Sequence, residues 1–162
     1  MKMRKIFAGI MAAALLTTVL VSSAFAGSGF TAVGYQKLLE RAFTGGASTT
    51  TFQVGLTSTA ITGSTTAVSG LTEPSGLGYS RATVTQNTNS STGWPTSAAS
   101  GTGWLLTAAP IIWTATGTWT TTVTTAFITD GTNVLAWVDL STPRALQNND
   151  VLTVNFSLKL AN

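Results

Sequence analysis

The last segment of the chain carries the pattern that most constrains the fold. In "DVLTVNFSLKL", residues 150–160, apolar and polar side chains alternate, which is the period of a half-buried β-strand. The apolar side chains share one face: Leu152, Val154, Phe156, Leu158 and Leu160. The polar side chains share the other: Thr153, Asn155, Ser157 and Lys159. This segment predicts an antiparallel sheet that turns one face to the core.

Earlier segments add strands of the same kind. In "TTFQVGLTST", the apolar residues Phe52, Val54 and Leu56 occupy alternate positions and share one face, as in a half-buried strand. "GYSRATVTQ" is the next predicted strand, after a long loop rich in Gly, Ser and Thr. Pro110 inside "WLLTAAPIIWTA" predicts an edge strand, or two short strands that meet at a bulge. "WTTTVTTAFIT" and "VLAWVDLS" flank the turn 130–133 and predict a hairpin. The chain is therefore predicted to be mainly β, an antiparallel β-sandwich or jelly-roll-like domain, with strands from about 51 to 161.

One short helix is predicted before these strands, at about 30–44. Apolar side chains in "TAVGYQKLLERAF" recur near helical spacing. Thr31 or Ser28 can cap its start, and Gly45-Gly46 ends it.

The first 26 residues have the three parts of a secretory signal peptide. Lys2, Arg4 and Lys5 are its positive region, the run from Ile6 to Val21 is apolar, and Ala24-Phe25-Ala26 is a small-residue cleavage site. A retained membrane anchor is the alternative, but the run is short for a bilayer span. The prediction is a signal peptide at 1–26 and a single β-rich structural domain at 27–162, with no stable membrane insertion after cleavage.

The composition excludes most kinds of catalytic site. The chain has no His and no Cys, and only 8% of its residues are charged. Its five acidic residues are scattered, with no pair at helical spacing that would form a local ligand set: Glu40, Glu73, Asp130, Asp139 and Asp150. We therefore predict no enzyme, no catalytic residues, no metal site and no cofactor. A glycosidase that uses two carboxylates is the enzymatic alternative.

The positive net charge lies in the signal segment. Three of the eight basic residues belong to it and none of the acidic ones do, so the rest of the chain has 8 − 3 = 5 basic and 5 acidic residues. No basic run remains, and the electrostatic footprint of a nucleic-acid-binding protein is missing. No nucleic-acid partner is predicted.

The order of segments resembles small β-rich phage tail-fibre-like and virion accessory structural proteins. A helix with a Gly-Gly end, residues 30–46, leads to "VGL" at 54–56, and a loop precedes "GYSR" at 78–81. A late hairpin then leads to the closing "NNDVLTVNFSLKL", residues 148–160. The resemblance implies a structural domain with no catalytic residues to transfer.

A secretory signal departs from that pattern, because phage structural proteins generally assemble in the cytoplasm. The sequence therefore favours a secreted, extracellular or cell-surface fibre, with a virion protein as the alternative.

Assembly is the predicted function: a non-enzymatic structural subunit of a fibre, filament or decoration layer, a homo-oligomer or a partner of other subunits in the same assembly. Uncharged strands, particularly edge strands, invite association because they offer unpaired backbone groups. The candidate interface residues are Trp94, Trp119, Thr122 and Thr124.

A secreted adhesin or binding module is the alternative function. It would recognise carbohydrate through Trp94 in a polar loop, or ice through the threonines between Thr116 and Thr125. Threonine is also a common solvent-facing strand residue, which weighs against the ice-binding interpretation.

Overall fold

A computed structural model describes residues 28–44, 51–86, 91–94, 96–100 and 103–160. The predicted signal peptide and the Gly45-Gly46 helix stop lie outside these residues. The first half of the described chain contains β1 (Ser28–Phe30), α1 (Ala32–Thr44), β2 (Thr51–Thr57), a 3-10 turn (Val68–Gly70) and β3 (Ala82–Thr85). The second half contains β4 (Thr96–Ser100), β5 (Gly103–Thr107), β6 (Ile111–Thr114), β7 (Val123–Thr129), β8 (Val134–Arg144), β9 (Val151–Val154) and β10 (Ser157–Leu160).

The strands form three antiparallel sheets. The five-stranded sheet has the order β1-β8-β7-β2-β3, the three-stranded sheet the order β10-β5-β4, and the two-stranded sheet pairs β6 with β9. The predicted mainly β, antiparallel fold with one short helix is confirmed.

Helix α1 begins where Thr31 caps it, as predicted. The Thr31 hydroxyl oxygen accepts a hydrogen bond from the Gly34 amide at 3.0 Å, which satisfies one of the free N–H groups of the first turn. The same hydroxyl donates to the Val134 carbonyl, and the Thr31 amide donates to the Leu135 carbonyl. Thr31 therefore starts the helix and fixes its first turn to β8.

The predicted hairpin is confirmed as β7 and β8, although β7 begins at Val123 rather than at Trp119. The Asp130 carboxylate closes the turn, because it accepts hydrogen bonds from the Thr132 amide (3.0 Å) and the Asn133 amide (2.7 Å). Gly131 has φ +101°, a backbone conformation that suits glycine.

The closing segment is two strands rather than the single strand predicted. β9 pairs with β6 and β10 pairs with β5, so the segment passes from the two-stranded sheet to the three-stranded one. At the crossing, the three residues 108–110 lie opposite the two residues 155–156, and the Ala108 amide donates to the Phe156 carbonyl. This extra residue is the bulge that Pro110 predicts, because proline cannot donate a ladder hydrogen bond.

The alternation of this segment is confirmed for the side chains that the structure describes. Leu152, Val154 and Phe156 are buried, Leu158 is half-buried and Lys159 is exposed. The side chain of Leu160 lies outside the description.

The core lies between the five-stranded sheet and the two smaller sheets. One cluster contains Val54 and Ile128 from the five-stranded sheet together with Trp113, Leu152 and Phe156 from the opposite layer. This two-layer packing is that of a sandwich.

The second face of the five-stranded sheet is covered as well. Phe127 and Val134 on this face pack against Ile61, with Val68 and Leu71 nearby. The long loop between β2 and β3 therefore forms a lid over this sheet face, which the Gly/Ser/Thr composition of the loop does not indicate.

Candidate functional site

The two tryptophans predicted at the interface lie in the core. Trp94 is only 9% exposed and belongs to the main core cluster, so the prediction that it lies in an exposed loop is wrong, and an interface role for it remains a prediction. Trp119 is 3% exposed, and its indole Nε1 donates to the Leu77 carbonyl at 3.0 Å. A polar, turn-forming neighbourhood suggested exposure for Trp94, but the burial of its large apolar ring outweighs that composition.

The two threonines have different positions. Thr122 is exposed and lies in the loop before β7, whereas Thr124 is half-buried in β7 and donates to the Thr57 carbonyl at 3.4 Å. Strand β7 pairs with β8 on one side and β2 on the other, so it has no free edge. Neither threonine therefore lies on a free strand edge, and an interface role for them remains a prediction.

The threonines near β7 do not form a flat exposed array. Thr116, Thr118 and Thr120 lie outside the strands, and Thr125 is buried, donating to the Asp139 carboxylate at 2.9 Å. The regular surface that the ice-binding interpretation needs is therefore missing from this segment.

Among the strand side chains that the structure describes, the most exposed large apolar ones lie on β6 and β9. Ile112 is 60% exposed and Val151 is 49% exposed, and Thr114 and Thr153 lie opposite them in the register. We call these four residues the β6–β9 face. Neither strand contains a charged residue, and each has a free edge in the two-stranded sheet as the structure describes it, whereas β7 is paired on both sides; the β6–β9 pair is therefore a better association surface than β7.

Sequence patterns could have identified the β6–β9 face. Ile111 and Trp113 point inward, so the alternation of "IIWT" sends Ile112 outward. Val151 is two residues before Thr153 and four before Asn155, so it lies on the polar face of the closing segment. The pairing of β6 with β9, which brings the two side chains to one face, has no local signal because these strands are far apart in sequence.

Glu73, Arg81 and Tyr79 form a polar cluster that fixes the loop before β3. Arg81 donates to both carboxylate oxygens of Glu73, with Nε at 3.1 and 3.0 Å, and the Tyr79 hydroxyl also donates to Glu73. The Tyr79 oxygen accepts from the Leu56 amide at 2.9 Å. Burial, together with the bond to Glu73, raises the pKa of Tyr79, so its hydroxyl stays protonated. The cluster links β2 to the loop and has a structural role.

The other carboxylates accept hydrogen bonds within turns or from neighbouring side chains. Asp150 accepts one from the Gln147 amide at 2.8 Å, and Asp139 accepts one from the Thr125 hydroxyl. Glu40 accepts one from the Gln36 side chain at 2.7 Å. Within the described part of the chain, no three His, Cys, Asp or Glu residues come together as a metal-binding group.

A largely apolar cavity of about 150 Å³ lies between α1 and the five-stranded sheet. Its walls come from the helix, from the sheet and from the opposite layer: Leu38, Phe52, Trp94, Ile128, Leu135 and Leu158. Lys37 and Asp130 also line it. Trp94 thus contributes to a pocket, although it is not the surface contact predicted.

No described helix is long and apolar enough to span a bilayer.

Comparison with known proteins gives one family. The family model described as "Podophage GP4 fiber I protein gp80" matches residues 29–158, from β1 into β10. Searches of curated proteins and of solved structures gave no match.

Proposed function

Because the chain belongs to the family of the podophage GP4 fiber I protein gp80, we propose that it is a non-enzymatic structural subunit of a virion fibre that acts by self-association. The family match is the observation that carries this proposal. It confirms the resemblance to phage fibre proteins found in the order of the segments.

The virion is the location that the family favours, and this reverses the order of the two locations expected from the sequence. A secreted fibre remains the alternative, and it depends on cleavage after Ala26. Mass spectrometry of the N-terminus would distinguish the two locations, since only the exported protein would begin at Gly27.

The contact that we propose is between β6–β9 faces of neighbouring copies. Ile112 and Val151 expose apolar side chains beside Thr153 and Thr114, and the two strands themselves contain no charged residue. Association buries this apolar surface, and each side chain withdrawn from water contributes favourably. The proposed contact is thus a two-stranded sheet at the surface of the opposite layer, and it does not include the four candidate residues that the sequence suggested.

The carbohydrate-binding alternative loses its main support. It relied on an exposed Trp94 ring, and that ring is packed in the core.

Charge added to the β6–β9 face tests the proposed contact. We expect Ile112→Lys and Val151→Lys to shift the purified protein from oligomer to monomer, because apposed lysines repel and bring water into the interface. Multi-angle light scattering measures the mass, and circular dichroism on the same samples checks the fold.

Ser69→Lys is the matched control. Ser69 is exposed in the 3-10 turn of the loop on the opposite side of the five-stranded sheet, and it gains the same charge. Its oligomeric mass should equal that of the wild type. An oligomer that persists in both face variants would exclude this face as the contact.

A further inference from the structure

The cavity beneath α1 is lined by two small residues where the helix faces β8. Gly34 faces β8 with no side chain, and Ala136 on β8 provides only a methyl group. A Cβ on Gly34 would overlap the Leu135 carbonyl oxygen, so the helix approaches the strand closely at its first turn. Beyond that turn, the space beside Leu38 is left unfilled.

The interior of the cavity is unsuited to water. Most of the described residues that line it are aromatic or aliphatic, and Lys37 and Asp130 are the charged residues among them. Asp130 is occupied by the amides of its own turn, and Lys37 pairs with Glu40 at 3.4 Å. Because a buried water needs two to four polar partners, we expect the apolar part of the cavity to be dry.

The size of the cavity corresponds to one six-membered ring. A dry apolar cavity of about 150 Å³ that was engineered in another protein binds benzene, and this cavity, which opens to solvent beside Leu38, has a similar volume of about 150 Å³. Lys37 and Asp130 line the cavity with opposite charges, so a charged ligand would meet one attractive and one repulsive group.

We propose that this cavity is a binding site for a neutral, single-ring aromatic molecule, held by the side chains of Phe52, Trp94 and Leu158 and admitted past Leu38. Leu38 is 37% exposed, which places it at the mouth. Phe52 and Trp94 provide aromatic surfaces on which a ring can pack edge-to-face or offset. The site does not depend on self-association.

Titration of the isotope-labelled protein with toluene, followed by amide NMR shifts, tests the site. We expect saturable shifts at residues that line the cavity, including Gly34, Leu38 and Ala136, and a rise in the melting temperature. The affinity for benzoate should be lower than that for toluene by roughly tenfold or more, since its carboxylate loses hydrating water and gains no compensating partner in the cavity.

Leu38→Trp should fill the mouth and abolish the toluene shifts, with Leu38→Phe as a second variant in case the first does not fold. Leu39→Trp is the matched control, because Leu39 is the next residue of α1, is exposed and does not line the cavity. Non-saturable shifts in the wild type, or equal binding by Leu38→Trp and the wild type, would overturn the proposal. Shifts confined to the β6–β9 face would overturn it as well, since they would place the binding at the proposed contact between copies.

Discussion

At the scale of single residues, the contact between α1 and the sheet depends on one glycine. Thr31 fixes the start of the helix to β8, and Gly34, three residues later, lies against the backbone of Leu135. A side chain at this position has no space, because its neighbour is a carbonyl group of a strand and cannot move aside as a flexible side chain would.

Gly34→Ala should destabilise the protein by about 1–3 kcal/mol, despite the better helix propensity of alanine. Urea unfolding measures the change, and Gly63→Ala is the control, since a Cβ there would have no neighbour within 4 Å. Equal stability of Gly34→Ala and the wild type would mean that α1 does not pack on β8 in this way.

Asp130 makes stability depend on pH at the acid end. Burial acts to raise the pKa of its carboxyl, but the amides of Asn133 and Thr132 and the charge of Lys37 lower it more, so it lies below its ordinary value of 3.8. As the pH falls, the unfolded chain takes up this proton before the folded one does. The contribution of Asp130 is therefore complete above about pH 4 and is lost as the pH falls through the folded pKa.

Asp130→Asn should accordingly flatten the loss of stability between about pH 4 and pH 2, because the amide oxygen keeps the turn hydrogen bonds but does not titrate. Urea unfolding at several pH values measures the two slopes. Identical slopes for the variant and the wild type would contradict the role given to the Asp130 charge.

At the scale of elements, the closing segment connects the two smaller sheets. Phe156 lies at the break between β9 and β10, with its side chain 1% exposed and its carbonyl bound to the Ala108 amide. It packs in the same cluster as Leu152 and Val154, so its ring supports the bend at which the strand changes sheets.

Phe156→Ala should therefore cost about 3–5 kcal/mol in the free energy of unfolding, since it leaves a cavity where the layers meet. Lys159→Ala, on the exposed face of β10, should change stability by less than about 0.5 kcal/mol. Thermal unfolding of both variants measures the contrast. A small loss of stability in Phe156→Ala would mean that the ring of Phe156 does not support the bend.

Local patterns predicted most elements but not how they pair. Alternation identified the β7–β8 hairpin and the buried side chains of β9, and Thr31 marked the start of α1. The division of the closing strand between two partners has no local signal, since β6 lies about 40 and β5 about 50 residues away from the strand segment with which it pairs.

At the scale of the whole molecule, burial explains why the exposure predicted for Trp94 differs from the structure. Its polar neighbours predict an exposed loop, whereas its ring packs in the core, as does the ring of Trp119. The core and the central position of β7 follow from long-range contacts, which a single sequence does not display. The prediction of no local catalytic set rests on the composition alone, and the match to a phage fibre family is consistent with it.

Taken as a molecule, the chain has a closed core, a covered second sheet face and an uncharged β6–β9 face on its surface. A structural subunit needs such a face to recur in every copy, because an assembly of identical chains repeats the same contacts.

Negative-stain electron microscopy of the purified protein tests the central claim, that this chain is a self-associating structural subunit, most directly. We predict particles of uniform shape, larger than a single copy, which disappear in Ile112→Lys and persist in Ser69→Lys. Fields of separate single copies at every concentration of the wild-type protein would contradict the claim.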